Sequence, residues 1–197
     1  FRNGHHHWGF IPEKTVLIAG DPGAGQRLFE EISHFEGFQA DRILYILDDG
    51  EQLFDAGINE SFDACLSAGG AEGPPGIDLW DVDDIAKFYA LPRGKMPPRP
   101  SLASATDERL LVDLPSLARA TFLFLSRQRF RDWAAYDGDG EQLQVFKAAA
   151  GLTAIRVPVG VDRVVYQYEV PTAERLARIF SLLSFACALV WCRWRTT

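Results

Sequence analysis

The sequence predicts an α/β domain with a mainly parallel sheet, helices on both faces and a C-terminal antiparallel hairpin. Three observations predict it. The apolar run Val16 to Ala19 breaks into a glycine turn followed by a helix-spaced stretch, and a second apolar run, Arg42 to Leu47, ends in Asp48-Asp49. Apolar runs and helix-spaced stretches then keep alternating towards Val170, the pattern of parallel strands joined by crossing helices. A chain of 197 residues, 47% hydrophobic and 24% charged, can bury one substantial core, so a single domain is expected over residues 15–171.

Residues 1–14 have no clean period and read as an arm lying on a surface. His5-His6-His7 stand there beside Trp8, but consecutive histidines rarely present one face to a metal, and no metal site is assigned. Val16 to Ala19 is the first strand, and Gly25 to Phe35 places Leu28, Phe29, Ile32 and Phe35 at helical spacing. Arg42 to Leu47 supplies the second strand, Glu51 to Ala56 a short helix, and Phe62 to Ser67 a third strand running into Gly69-Gly70. Asp78 to Tyr89 carries Leu79, Val82, Ile85 and Phe88 at helical spacing, and Leu91 to Ser101 is a Pro-rich extended crossing. Leu110 to Val112 and Thr121 to Leu125 read as strands, and Glu141 to Ala150 as a helix stopped by Gly151. Thr153 to Val159 and Arg163 to Val170 are separated only by Gly160 to Asp162, which is hairpin spacing. Pro158 suits an edge.

Thr172 is placed to cap a final helix over residues 172–197, within which Ile179 to Cys192 carries no charge. Those fourteen residues reach roughly 21 Å at about 1.5 Å each, short of a hydrocarbon core of roughly 30 Å. Counting from Leu176 gives seventeen, with Arg178 able to snorkel and Trp191, Arg193, Trp194 and Arg195 forming an aromatic and basic border. Two readings stand open: a core helix, and membrane contact through residues 176–195.

The first strand and turn resemble nucleotide-binding units. Gly20-Asp21-Pro22-Gly23-Ala24-Gly25-Gln26-Arg27 is similar to a P-loop, and Leu110-Leu111-Val112-Asp113 to the strand and Asp of a Walker B motif. Gln26 stands where the P-loop lysine reaches the phosphates, Arg27 where a hydroxyl holds Mg²⁺, and Asp21 adds negative charge to the cradle, so this resemblance implies no hydrolysis. Gly20-x-x-Gly23-x-Gly25, opening a helix after a strand with Asp48 following 23 residues later, resembles a degenerate dinucleotide-binding, Rossmann-like domain. The stretch Phe62 to Gly70 is similar to the strand and small-residue turn on the adenine side of such domains. Leu28 departs from the pattern where a small residue packs the helix, and no Tyr-x-x-x-Lys pair of the short-chain dehydrogenase type is present. The resemblance implies Gly20, Gly23 and Gly25 around phosphate and Asp48 or Asp49 on a ribose, with NAD(P) as the cofactor. The same glycines also suit a strand-to-helix turn that holds no ligand. The order of elements from Thr121 onward is also similar to the second half of a thioredoxin-like fold, the alternative architecture, although its CxxC pair is absent.

Other chemistry finds little footing. Ser116, Ser126 and His34 lie in no nucleophile-elbow context, GxSxG and HExxH are absent, and the neighbouring Asp83 and Asp84 diverge on a helix. Cys65, Cys187 and Cys192 form no CxxC pair, so neither a disulfide framework nor a zinc site is written. A net charge of −7 argues against nucleic acid as a partner. Charge is uneven, with twelve Asp or Glu against Arg42 alone in residues 41–84, and five Arg against Asp113 in residues 109–131. Such asymmetry suits docking onto other protein subunits as well as a solvated acidic face. The chain opens on Phe1 rather than Met, so either a presequence was removed or further residues lie upstream; a cleaved targeting segment would fit an organellar protein. The expected role is a non-catalytic accessory subunit of a larger organellar membrane complex, mitochondrial in the first instance, with no cofactor. The alternative is a soluble NAD(P)- or nucleotide-binding enzyme.

Overall fold

The computed structural model describes residues 8–35, 38, 42–48, 61–70, 77, 79–81, 84–90, 97, 99–130, 132–171, 174, 176–177, 179–185 and 191. Its β1 (Gly9–Phe10), β2 (Lys14–Ala19), α1 (Pro22–Ile32), β3 (Ile43–Leu47), β4 (Ala64–Ser67), β5 (Leu79–Trp80) and α2 (Ile85–Ala90) occupy the first half. Strands dominate the second half: β6 (Ser101–Ala105), β7 (Arg109–Asp113), β8 (Thr121–Gln128), β9 (Trp133–Asp137), β10 (Gln142–Leu143), β11 (Val145–Lys147), β12 (Leu152–Val157) and β13 (Arg163–Tyr168).

These strands form three sheets. A parallel sheet has the order β3-β2-β4-β5, with Val16 of β2 opposite Tyr45 on one side and Ala64 on the other. A middle sheet, β1-β8-β12-β11, and an outer sheet, β10-β9-β13-β7-β6, are antiparallel throughout. The period-two alternation of side chains stacks the layers. In β2, Val16 and Ile18 face Leu28 and Ile32 of α1 and Ile85 and Phe88 of α2, while Leu17 and Ala19 face the middle sheet. In β8, Phe122 meets Leu17, Leu44 and Cys65 of the parallel sheet; Leu123 and Leu125 meet Val112, Ala135, Val164 and Tyr166 of the outer sheet. Helices, parallel sheet, middle sheet and outer sheet thus lie in sequence.

This architecture corrects the expected one. The sheet is not mainly parallel and helices do not cover both faces: nine strands lie in antiparallel sheets against four in the parallel one, among the described residues. The face of the parallel sheet that a second helical layer was expected to cover is covered by the middle sheet. The expected helix at Glu141 to Ala150 is β10, β11 and a 3-10 turn at Ala149–Gly151. Its helix-like spacing has a different origin, because the chain changes sheets at Gln144. Leu143 points into the core between the middle and outer sheets, and Phe146 into the core between the middle and parallel sheets. With that helix gone, the thioredoxin-like alternative goes too.

The expected hairpin is also absent. β12 pairs with β8 and β11, whereas β13 pairs with β7 and β9, so residues 158–162 cross from one sheet to the other through Gly160 at φ 92°. The expected helix from Asp78 starts instead as β5, which pairs with Cys65 and Leu66, and becomes helical only in α2. The arm is partly sheet, since Gly9 and Phe10 pair with Leu125 and Phe124. A Cβ at Gly9 would stand 2.4 Å from the Phe124 carbonyl oxygen, so only glycine permits this approach. At the far edge of the outer sheet, β6 is exposed along its whole length and its pairing slips between Leu102 and Ser104. The expected helix at Glu51 to Ala56 and the expected cap Thr172 lie outside the described residues.

Phe122 is fully buried and packs against Phe62 at 5.3 Å and Phe146 at 5.6 Å between ring centroids. Phe122→Ala is expected to cost about 3–5 kcal/mol, the range for a large aromatic lost from a core. Denaturant unfolding followed by tryptophan fluorescence and by far-ultraviolet dichroism checks it, and the two transitions should move together because this ring joins two sheets.

Candidate functional site

The carboxyl edge of the parallel sheet gathers the sequence candidates. β2 lies between β3 and β4, so its connection leaves where the strand order diverges, the place at which open parallel sheets take ligands. Gly20 follows β2, Gly23 and Gly25 lie in the first turns of α1, and Asp48 follows β3 with its N–H donating to Ile18 O at 2.9 Å. Asp49 lies outside the described residues.

The backbone requires glycine at position 20 and not at position 25. Gly20 has φ +150°, and a Cβ there would meet the Ala68 carbonyl oxygen at 2.7 Å and the Ala68 Cβ at 2.9 Å. The turn after β2 therefore abuts the end of β4, where the Ala68 N–H donates to Ala19 O at 2.8 Å. Gly25 is buried, and a Cβ there would make ordinary contacts with Ile18 at 3.6 Å and Leu47 at 3.7 Å. It rests on the strands without requiring them to yield.

The helix N-terminus is already occupied by this chain. Asp21 is the N-cap: its Oδ1 accepts from the Gly23 and Ala24 N–H groups, both at 2.9 Å, and its carbonyl accepts from Gly25 N–H at 2.9 Å. Pro22 follows within the first turn, where its missing N–H costs nothing. Phosphate recognition at a helix start depends on these same backbone donors and on the positive end of the helix dipole. Here a carboxylate takes both, and an incoming phosphate would have to displace it against like-charge repulsion. Gln26 donates to Glu30 Oε1 at 3.1 Å, along the helix and away from the turn.

The other resemblances separate in space. Leu110 to Asp113, similar to a Walker B strand, is β7 of the outer sheet, with the middle sheet between it and the glycine turn. Asp113 accepts from the Arg163 guanidinium at 2.8 Å. Cys65 points into the core between the parallel and middle sheets; burial pushes its thiol up to about 11, which keeps it protonated and unreactive near neutrality. His34 shares a 2.7 Å hydrogen bond between Nδ1 and Glu30 O. Among the described residues no three His, Cys, Asp or Glu side chains are placed to hold a metal ion. His5, His6 and His7 lie outside them.

Compared with protein families, curated proteins and solved structures, the chain matches none.

A second concentration of features was not singled out in the sequence. At the end of the outer sheet where β13 finishes, Trp133 packs on Tyr166 at 4.9 Å and Tyr168 at 6.4 Å, with the Arg127 guanidinium 5.5 Å over its ring. The signal was the interleaving of Arg127, Arg129 and Arg131 with Phe130 and Trp133. It was read there only as charge. Beyond β13 the backbone is helical at residues 174, 176–177, 179–185 and 191, and Leu176, Ile179, Phe180, Leu182, Leu183, Phe185 and Trp191 are each 49% to 70% exposed.

The glycine geometry yields opposed expectations. Gly20→Ala should destabilise by about 1–3 kcal/mol, the scale of a side chain forced into a strained backbone region. Gly25→Ala should be neutral or stabilise by about 0.5–1 kcal/mol, because it removes chain entropy from the unfolded state within a helix. Thermal melts of the two variants check the pair.

Proposed function

We propose that the chain is a non-catalytic scaffolding part of a membrane protein assembly, attached to the bilayer through the apolar segment 176–195. The exposed apolar helix carries this reading. At about 100° per residue, Ile179, Phe180, Leu182 and Leu183 fall on one broad apolar face of the helix, Phe185 extends it on one side, and Ser181 and Ser184 stand opposite. One broad apolar face suits a helix lying in the plane of the bilayer interface with that face in the lipid. Seven large side chains left about half bare or more in water forgo on the order of 10 kcal/mol of burial. Among the described residues no helix is long and apolar enough to cross a membrane. Contact with the bilayer therefore rests on this segment's exposure and on its Trp and Arg border.

Absence of catalysis is supported by the self-capped helix start and by the separation of Asp113 from the glycine turn. The second reading, a nucleotide- or NAD(P)-binding enzyme, is favoured by one observation: Gly20, Gly23, Gly25 and Asp48 do meet at one sheet edge. Its binding step requires Asp21 to yield the Gly23 and Ala24 donors.

Deleting residues 179–197 should move the protein from the membrane fraction to the supernatant with its thermal transition retained; aggregation of the truncated chain would instead assign the helix to the core. Titration of NADH, NADPH, ATP and GTP against the intact protein should show no saturable binding. Saturable binding that Gly23→Val abolishes would replace the scaffold reading with the enzyme.

A further inference from the structure

Resting on the membrane attachment proposed above, we infer that the β8–β9 loop, with Phe130 at its tip, is a second contact with the bilayer interface. This contact fixes which end of the domain faces the lipid. Phe130 is 56% exposed and takes part in none of the three cores. A single exposed phenylalanine is ordinary on a protein surface. Its position is what matters here.

The loop is tied to the point where the apolar helix leaves the sandwich. Trp133 N–H donates to Phe130 O at 3.3 Å, Trp133 stands opposite Tyr168 in the β9–β13 register, and Glu169 N–H donates to Asp132 O at 2.7 Å. Tyr168 then donates from its hydroxyl to Glu174 Oε2 at 3.4 Å, linking the end of β13 to the first described residue of the helix. The N-terminal arm reaches the same end, because β1 runs antiparallel to β8 and Ser126 N–H donates to Trp8 O at 2.8 Å. Trp8, Phe130, Trp133, Tyr168 and the start of the apolar helix therefore share one end of the two antiparallel sheets. The turn between β12 and β13, with exposed Val159 in it, lies at the other end.

Exposed Phe130, with half-buried Trp8, Trp133 and Tyr168 at the end where the apolar helix begins, matches the aromatic girdle that forms where hydrocarbon meets headgroups. Charge at this end is mixed. Arg109, Arg127 and Arg129, with Arg131 in the loop sequence, are balanced by Asp107, Glu108, Asp132, Glu169 and Glu174, so attraction to anionic lipid does not drive the contact. Partition of the Phe130 ring into the interface does, and it holds on uncharged phosphatidylcholine.

The test uses the full chain, with Cys65, Cys187 and Cys192 replaced by Ala, reconstituted with phosphatidylcholine vesicles. A single cysteine at Asp132→Cys, Val159→Cys or Ile179→Cys carries an environment-sensitive fluorophore, so that Phe130 is kept, and the vesicles contain nitroxide-labelled lipid. Loss of emission and a blue shift at 132 and 179, with neither at 159, is the expected result. Quenching at 179 without quenching at 132 overturns the loop contact and leaves the membrane attachment standing. Equal quenching at 132 and 159 overturns the orientation. No quenching at 179 overturns the attachment itself, and the loop contact with it. Native dichroism of each labelled variant establishes that the exposed substitutions leave the fold intact.

Discussion

Two-sided burial of the middle sheet is the constraint on which everything else depends. Strands β8 and β12 bury Leu123, Leu125, Ile155 and Val157 against the outer sheet, and Phe122 and Ala154 against the parallel sheet. Neither neighbour has another large apolar surface on which to close that face. The parallel sheet spends its far face on α1 and α2, and among the described residues the outer sheet has one core, shared with β8 and β12. One sheet of four strands therefore supplies half of two hydrophobic interfaces. At about 25 cal/mol per Å² of apolar surface removed from water, a residue here counts as fully as one in any single core, and its loss is felt in both layers.

The local reading of the sequence succeeded wherever one residue's neighbours in the chain are also its neighbours in the structure. Val16 to Ala19 and the α1 face of Leu28 and Ile32 were legible because strand, cap and helix follow one another without a change of layer. The run at Thr121 was legible as a strand for the same reason. What failed were the places where the chain changes sheets. Leu143 and Phe146 are three residues apart and face opposite cores, which a periodicity measured along the chain reads as one helical face. Gly160 to Asp162 has the length of a hairpin loop, and only the pairing of β13 with β7 and β9 reveals that it bridges two sheets. Sequence spacing carries no information about which sheet a strand joins.

The glycine turn shows the same limit at the level of a site. Its spacing was legible, and Gly20, Gly23, Gly25 and Asp48 do converge. Legible too was the oddity of Asp21 within a phosphate cradle. What spacing could not convey is direction: the carboxylate turns back onto Gly23 and Ala24 N–H and takes up the donors that define an anion site. A helix start capped by its own aspartate gains roughly 1 kcal/mol of stability, and it forgoes the same donors for any ligand. Stability and phosphate binding compete here for two hydrogen bonds.

The bare strand β6 has a consequence of a different kind. Ser101 to Ala105 are uncharged and exposed on both sides, at the rim of a sheet that has no further strand beyond them among the described residues. Proteins commonly guard such rims with lysine or proline. Here Pro100 stands just before the strand, and the pairing slips between Leu102 and Ser104, where two spans of regular pairing fall out of step. A strand arriving from another molecule would find donors and acceptors in phase for two residues and then out of phase, so growth of the sheet by recruitment stalls at the rim. Repairing that slip, by making the hairpin regular, would remove the interruption and leave an unbroken row of backbone donors and acceptors along the rim.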